Sequence, residues 1–186
     1  MTVAIIGAGP LGRWLALAAA RAGFRVLLED VMPANLRHAR EAIRQSLGPA
    51  ALEPSTPVGP GVSFVGTIED AVRNADLAID CVPDELESKL EIFCLLDRMA
   101  PPRTVLATPT TRLSIADLAA CTYRPDKCVA IAAEASDLAE RGPESASRAI
   151  LIRTPPLASP ATVDLVRTFW QRLGLDPRFE RDSVTA

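Results

Sequence analysis

Three glycines near the start of the chain have the spacing of a turn that binds phosphate groups. Residues 7–12 read Gly-Ala-Gly-Pro-Leu-Gly, which is the pattern G-x-G-x-x-G. In such a turn the first glycine allows a tight bend, the second lets the backbone approach a pyrophosphate, and the third lets the following helix pack closely. The helix N-terminus then offers unpaired N–H groups to the phosphates. We therefore expect Gly7, Gly9, Pro10, Leu11 and Gly12 to contact a dinucleotide.

An acidic pair follows the glycines at the distance expected of a group that binds ribose. Asp30 comes 23 residues after Gly7, close to the spacing at which a carboxylate accepts hydrogen bonds from the adenosine ribose. A carboxylate at this place would repel a 2′-phosphate, so the sequence favours NAD over NADP. Glu29 is the alternative, one residue earlier.

The segments around the motif have the right types to position it. The apolar run 3–6 predicts a strand buried on both faces. A helix is predicted over 11–22 and a second buried strand over 26–28. Strand, turn, helix and strand together occupy about 30 residues, which is the size of one βαβ unit.

Strands and helices alternate along the rest of the chain. Residues 48–61 hold four prolines and three glycines, which predicts a loop. Further strands are predicted at 62–65, 77–82, 105–107, 129–132, 149–152 and near Phe179, and further helices at 33–47, 68–74, 84–99, from Ser114, and at 159–173. The alternation predicts one domain over residues 1–186, of the α/β class, with a doubly wound and mostly parallel sheet.

Composition excludes several classes of function. The net charge is −3 and 4% of the residues are aromatic, so neither a basic surface nor a stacking platform for nucleic acid is predicted. No apolar run approaches the roughly 20 residues that span a bilayer. The single histidine, and four cysteines that form no C-x-x-C pair, predict no metal site. We expect a cytoplasmic protein.

With these residues placed, the chain resembles the NAD-binding, Rossmann-type domain of the 3-hydroxyacyl-CoA dehydrogenase family, from Val3 to about Asp182. Residues 75–84 are similar to the family's "aDlViEaVpE" segment, and residues 106–115 stand where the family has "ASNTSSLSI". Residues 124–127 precede the strand that ends in the family's catalytic motif. The resemblance implies NAD as the cofactor and an acyl-CoA-like substrate.

The resemblance also assigns residues to the nicotinamide half of the site. It implies cofactor contacts for Val82, for Asp84 near the nicotinamide ribose, for Lys89, and for Thr111 at a family serine. Three alternatives stay open on sequence alone. Asp84 could be a helix N-cap, Lys89 could lie on a solvated helix face, and Thr111 could belong to a turn.

The family's catalytic histidine is missing. In the family's "GLHFFNP" motif that histidine takes the proton from the substrate hydroxyl while hydride passes to NAD. Ala132 stands in its place here, and Ala135 replaces an asparagine. In the family a partner glutamate follows this histidine. Glu144 lies at the corresponding distance along the present sequence, but alignment of the strands places Ile150 at the position of that glutamate. Hydride transfer is therefore predicted to be impaired or lost.

Glu134 is the alternative base for an active dehydrogenase with altered chemistry or substrate. It follows Ala132 by two residues, so it would share a strand face with Ala132 if the strand continued. A non-catalytic binding or regulatory module is the third hypothesis. The family's helical C-terminal domain, which closes the substrate site and carries the dimer contact, is expected to be absent. A homodimer, or a partner chain that supplies this domain, is left open.

Three further residues depart from the family or draw attention. Pro109 replaces an asparagine amide that could bond to cofactor or substrate. Trp14 replaces a small residue, and we expect it to pack against a neighbouring helix rather than to block the cofactor. His38 is the only histidine of the chain and is predicted to lie on a helix surface, too far from the nicotinamide to act as the base.

Overall fold

The computed structural model describes residues 1–52, 59–133 and 149–182. The strands of these residues form one sheet, in the order β3-β2-β1-β4-β5-β6-β7-β8. Their bounds are β1 Thr2–Ile6, β2 Arg25–Glu29, β3 Gly61–Val65, β4 Leu77–Asp80, β5 Val105–Pro109, β6 Cys128–Ile131, β7 Ala149–Thr154 and β8 Asp176–Arg181. All neighbouring strands run parallel except β6 and β7. The predicted α/β class with a mostly parallel, doubly wound sheet is confirmed.

Helices cover both faces of this sheet. They are α1 Pro10–Arg21, α2 Pro33–Leu47, α3 Ile68–Val72, α4 Leu86–Met99, α5 Ile115–Ala120 and α6 Pro160–Arg172. The helices α1, α2 and α6 contribute buried side chains to one apolar core, and α3, α4 and α5 contribute to the other. Successive residues of β1 alternate between the two cores, with Ile5 in the first and Ile6 in the second. Strands buried on both faces therefore read as continuous apolar runs.

Several predicted boundaries differ from the observed ones. Residues 49–52, which were predicted as loop, form a short 3-10 helix, and the predicted loop also ends one residue early because β3 begins at Gly61. The strand β6 ends at Ile131 rather than at Ala132. Proline at the first position of a short helix explains the first difference, since its fixed φ suits a helix start.

The helix predicted from Asp84 begins two residues later. Glu85 occupies the N-cap position of α4, and no side chain caps this helix. The N–H of Glu85 donates to the carbonyl of Pro83 over 2.8 Å, which closes a turn before the helix can start. The alternative of Asp84 as an N-cap is therefore wrong, and its carboxylate is free to face elsewhere.

In the three described ranges, no helix is long and apolar enough to span a membrane. The same ranges hold no group of three acidic, histidine or cysteine side chains arranged to bind a metal ion.

Candidate functional site

A cleft opens at the carboxyl ends of β1 and β4. The sheet extends from β1 through β2 to β3 on one side and from β4 through β8 on the other, so the strand order reverses between β1 and β4. Ligands of open α/β sheets bind at such a switch point. The cleft has a volume of about 530 Å³. The predicted residues Gly7, Gly9, Pro10, Leu11, Asp30, Val82 and Asp84 all line it.

The glycine turn crosses the bottom of this cleft. Gly7 has a φ of +102°, a conformation that favours glycine. A Cβ atom at Gly12 would overlap the carbonyl oxygen of Gly7, so α1 and the turn approach each other at a distance that only glycine allows. The roles expected of these two glycines, a tight bend and close helix packing, agree with the geometry.

Gly9 serves a different purpose from the other two glycines. It is the N-cap of α1, and no side chain caps this helix. Apart from its chain neighbours, a Cβ atom at Gly9 would meet no atom of the described residues within 4 Å. No contact among these residues demands glycine here, whereas a phosphate group that approached the helix N-terminus would need this space. The turn therefore fits a pyrophosphate.

Asp30 is held rigidly beside the turn. Its carboxylate oxygens accept hydrogen bonds from the backbone N–H of Ala8 at 2.8 Å and of Met32 at 2.7 Å. The amide of Asn35 also donates to both oxygens, at 3.1 and 3.2 Å. Asp30 is 9% exposed and follows β2 directly. A fixed carboxylate at the end of this strand suits a ribose and disfavours a 2′-phosphate.

Lys89 belongs to a buried network beneath the cleft. Its ammonium lies 3.1 Å from Oδ2 of Asp80 and donates to the carbonyl of Val82 at 3.0 Å. Asp80 accepts two more hydrogen bonds, from the Val82 N–H at 2.8 Å and from the Thr108 hydroxyl at 2.8 Å. Lys89 and Asp80 are both fully buried. The alternative of Lys89 on a solvated helix face is therefore wrong.

This network fixes one wall of the cleft. The backbone N–H of Val82 is bound by Asp80, and its carbonyl is bound by Lys89. Burial raises the pKa of Asp80, while Lys89 and the hydrogen bonds from Val82 and Thr108 act in the opposite direction. Lys89 does not reach the cleft surface itself, so within the protein it acts through Val82.

Asp84, Pro109 and Ala133 line the part of the cleft where the family resemblance predicts the nicotinamide, which we call the nicotinamide end. Atom Oδ1 of Asp84 is buried and has no hydrogen-bond partner in the described part of the chain. Arg112 donates to the Asp84 carbonyl at 2.7 Å, and its Nε lies 3.9 Å from Oδ2. An unpaired buried oxygen is the kind of group that a bound ribose hydroxyl would satisfy.

Two residues predicted near this end do not themselves line the cleft, although one of them, Ala132, directly precedes Ala133, which does. Thr111 is exposed and is not among the residues that line the cleft. Ala132 is half-buried and follows β6, with its N–H bound to the carbonyl of Leu151. Glu134 lies outside the described residues, as do Ala135 and Glu144. Strand alternation does not support Glu134 as a base, because β6 ends at Ile131.

The structure also shows where the side chains of Trp14 and His38 lie. Trp14 is partly buried against the first apolar core and does not line the cleft, which confirms packing over obstruction. His38 is exposed on α2, as expected. Sequence reasoning missed Asn35, Asp80 and Thr108. Of these three, only Asp80 could have been recognised from the sequence, since a charged residue inside an apolar strand needs a partner.

Known proteins share this fold and much of this sequence. The family model for the 3-hydroxyacyl-CoA dehydrogenase NAD-binding domain matches residues 2–132. The chain is 33% identical over 133 residues to a probable 3-hydroxybutyryl-CoA dehydrogenase of Bacillus subtilis (strain 168), covering 68% of this chain and 46% of that protein. It is 35% identical over 133 residues to the 5-formyl-3-hydroxy-2-methylpyridine 4-carboxylate 5-dehydrogenase of Mesorhizobium japonicum, covering 68% of this chain and 42% of that protein.

A crystal structure of a dehydrogenase with the second of these names, described as an NAD⁺-dependent dismutase, has a similar fold. It matches with a TM-score of 0.77 and 28% identity, over 98% of this chain and 58% of that chain. This chain spans less than half of the length of both relatives. The family match over residues 2–132 agrees with the glycine turn and Asp30 in one cleft. The chain belongs to the 3-hydroxyacyl-CoA dehydrogenase family, and the part that matches is its NAD-binding domain.

Proposed function

We propose that this chain binds NAD in the cleft between β1 and β4, and that it performs the family's hydride transfer on acyl-CoA substrates poorly or not at all. The observation that carries the first half is the open space at Gly9, directly before the uncapped N-terminus of α1. Asp30 would bind the adenosine ribose. Asp84 would accept a hydrogen bond from the nicotinamide ribose at its unpaired oxygen.

The second half of the proposal follows from Ala132. A methyl group cannot take the proton from a substrate hydroxyl, and His38 lies on α2, away from the nicotinamide end. In the described residues, the titratable side chains that line the cleft are Glu29, Asp30, Cys81 and Asp84. Only Asp84 lies at the nicotinamide end. It would be engaged by the ribose, which leaves no described side chain in the role of the family's base.

Calorimetry with NADH and NADPH tests the cofactor assignment. We expect NADH to bind at least about tenfold more tightly, a difference of about 1.4 kcal/mol, because the 2′-phosphate would meet the carboxylate of Asp30. Asp30→Asn removes the charge but keeps an acceptor for the N–H of Ala8, so it should reduce the difference between the affinities for NADH and NADPH. Equal affinities in the wild-type chain would contradict the role of Asp30.

A pair of glycine variants tests the place of the pyrophosphate. We expect Gly9→Ala to fold with a thermal midpoint close to that of the wild-type chain, because its methyl group would meet no atom within 4 Å in the described part of the chain, apart from its chain neighbours. NADH binding should weaken at least about tenfold, since the methyl group occupies the space of the phosphate. Gly12→Ala is the contrasting variant, and it should lose stability before any ligand is added. A Gly9→Ala variant with wild-type affinity would show that the dinucleotide binds elsewhere.

A further inference from the structure

Glu29 is a second carboxyl group of the cleft, and the contacts proposed above do not use it. It is the last residue of β2 and is 2% exposed. Side chains alternate along a strand, so Glu29 lies on the same face as Leu27, which belongs to the core formed with α3 and α4. It lines the cleft together with Ile68 and Ile92. Asp30 points to the opposite face, towards the glycine turn.

The Glu29 carboxyl is without a hydrogen-bond or ion-pair partner among the residues that the structure describes. Burial raises the pKa of Glu29 to about 7, and the nearby charge of Asp30 adds to the effect. A large share of these side chains is therefore protonated at neutral pH. The carboxyl faces the cleft, so a ligand there could supply the partner that the described residues do not.

A protonated carboxyl has a hydrogen-bonding pattern that few ligand groups match. It presents an O–H donor beside a C=O acceptor. The carboxamides of Asn and Gln present the same donor and acceptor, and they pair with the N6 amine and N7 of adenine. An ionised carboxylate presents only acceptors, so it would face the lone pair of the adenine ring nitrogen. Proton loss would therefore weaken the pairing.

We propose that Glu29 recognises the adenine base of the dinucleotide, accepting a hydrogen bond from the N6 amine and donating one to the adjacent ring nitrogen. The inference rests on the proposed function, because it needs the dinucleotide in this cleft. Glu29 directly precedes Asp30, and Ile68 and Ile92 line the same cleft, so a base attached to a ribose at Asp30 would find a carboxyl group and apolar side chains there. Affinity for adenine dinucleotides should then fall as the pH rises above about 7.

Other charged groups do not account for such a pH dependence. The titratable side chains that share the cleft with Glu29 are Asp30, Asp84 and Cys81. Burial raises the pKa of the Cys81 thiol, which therefore stays protonated. From the elements packed on this face, α3 and α4 contribute Ile68 and Ile92 to the cleft, and Glu69, Asp70, Glu87 and Glu91 of these helices are exposed. Asp97 of α4 is buried in an ion pair with Arg124, and Lys89 of α4 is paired with Asp80 of β4. Both pairs are kept in a Glu29→Gln variant, so that variant separates their titration from that of Glu29. Strand β3, beside β2, has no charged residue.

Calorimetry of NAD⁺ with the full chain at pH 6.0 and pH 8.0 tests the proposal. The wild-type chain should bind about tenfold more weakly at pH 8.0, as expected when a proton with a pKa of about 7 is needed for binding. Glu29→Gln keeps a donor beside an acceptor, so it should bind with the same affinity at both pH values. Glu29→Val removes both groups and should bind weakly at both. ADP-ribose should repeat the wild-type pH profile, which would assign the effect to the adenosine half.

The 1,N6-etheno analogue of NAD⁺ provides a separate readout, because its N6 carries no hydrogen. It should bind the wild-type chain more weakly than NAD⁺ does at pH 6.0, and it should bind Glu29→Val no more weakly than NAD⁺ does. A Glu29→Gln variant with the wild-type pH profile, or a Glu29→Val variant with wild-type affinity, would overturn the role of Glu29 while NAD binding stands. No binding of NAD⁺ by the wild-type chain at either pH would overturn the proposed function as well.

Discussion

The purified chain should reduce acetoacetyl-CoA with NADH at a rate about 10² to 10⁴ times below that of a family member with an intact catalytic histidine. This range is the usual contribution of a general base, and Ala132 stands where the family resemblance places that base. The family's base would supply a proton to the carbonyl oxygen of the substrate as it is reduced, and no described side chain that lines the cleft is free for that role. The loss of NADH absorbance, with and without acetoacetyl-CoA, measures the rate.

Two variants separate the missing base from other defects. Ala132→His restores the imidazole, and Ala132→Gln adds a polar side chain that cannot transfer a proton. If the base is the main deficit, the histidine variant should be at least about tenfold faster than the glutamine variant. Turnover by the wild-type chain close to that of an intact relative would contradict the proposal. Loss of that turnover in Glu134→Ala would then identify Glu134 as the base.

The dinucleotide half of the cleft was predictable because its determinants are local. Its features can all be recognised within about 30 residues of sequence. They are a glycine with positive φ, a helix that follows at once, and a carboxylate at the end of the next strand. The structure brings Gly7, Gly9 and Asp30 to one cleft as those features predict. The long buried strands were equally visible, since a strand covered on both faces is apolar throughout.

The nicotinamide half was less predictable because its determinants are contacts between distant elements. On sequence alone, Lys89 is as typical of a solvated helix face as of a cofactor contact. Its ion pair with Asp80 arises because α4 packs against β4. Asp84 has a side chain that suits an N-cap, yet a turn between Pro83 and Glu85 delays the helix. In both cases tertiary structure overrides a local preference, and the sequence pattern alone left the alternatives open.

Tertiary contacts also give the two carboxyl groups at the end of β2 different surroundings. Asp30 is bound by backbone N–H groups of the glycine turn and of the loop after β2, so its charge is compensated within the protein. Glu29 faces isoleucines and lacks such donors in the described residues. Glu29, the last residue of β2, and Asp30, the residue after it, thus have different environments, because Glu29 faces the same side as Leu27 whereas Asp30 is held by the glycine turn.

Lys89→Met should destabilise the fold by about 3–5 kcal/mol at pH 8, because removing one partner of a buried ion pair leaves the other charge uncompensated. Methionine keeps the length of the apolar stem, so the change isolates the ammonium group. Asp80 would remain buried with only the Val82 N–H and the Thr108 hydroxyl as donors. Urea denaturation of both proteins measures the difference in their free energy of unfolding, provided that this free energy falls with urea concentration at the same slope in both.

Two comparisons identify the buried charge as the cause. Asp80→Asn combined with Lys89→Met removes both charges, and its deficit should be smaller than that of Lys89→Met alone. Arg73→Met breaks an exposed ion pair with Glu69 and Asp70, and it should change stability by no more than about 1 kcal/mol. A Lys89→Met variant as stable as the wild-type chain at pH 8 would show that the network contributes nothing to the fold.

The pH dependence of Lys89→Met has a definite sign. Burial already raises the pKa of Asp80 above its ordinary value, and Lys89 opposes this shift, so the variant should raise the pKa further. In the variant the folded state then holds a proton that the unfolded state has released. Stability is therefore highest below the unfolded pKa of Asp80 and is lost as the pH rises through the folded value. The deficit of Lys89→Met relative to the wild-type chain should accordingly be smaller at pH 5 than at pH 8, whereas a deficit caused only by altered packing would be the same at both.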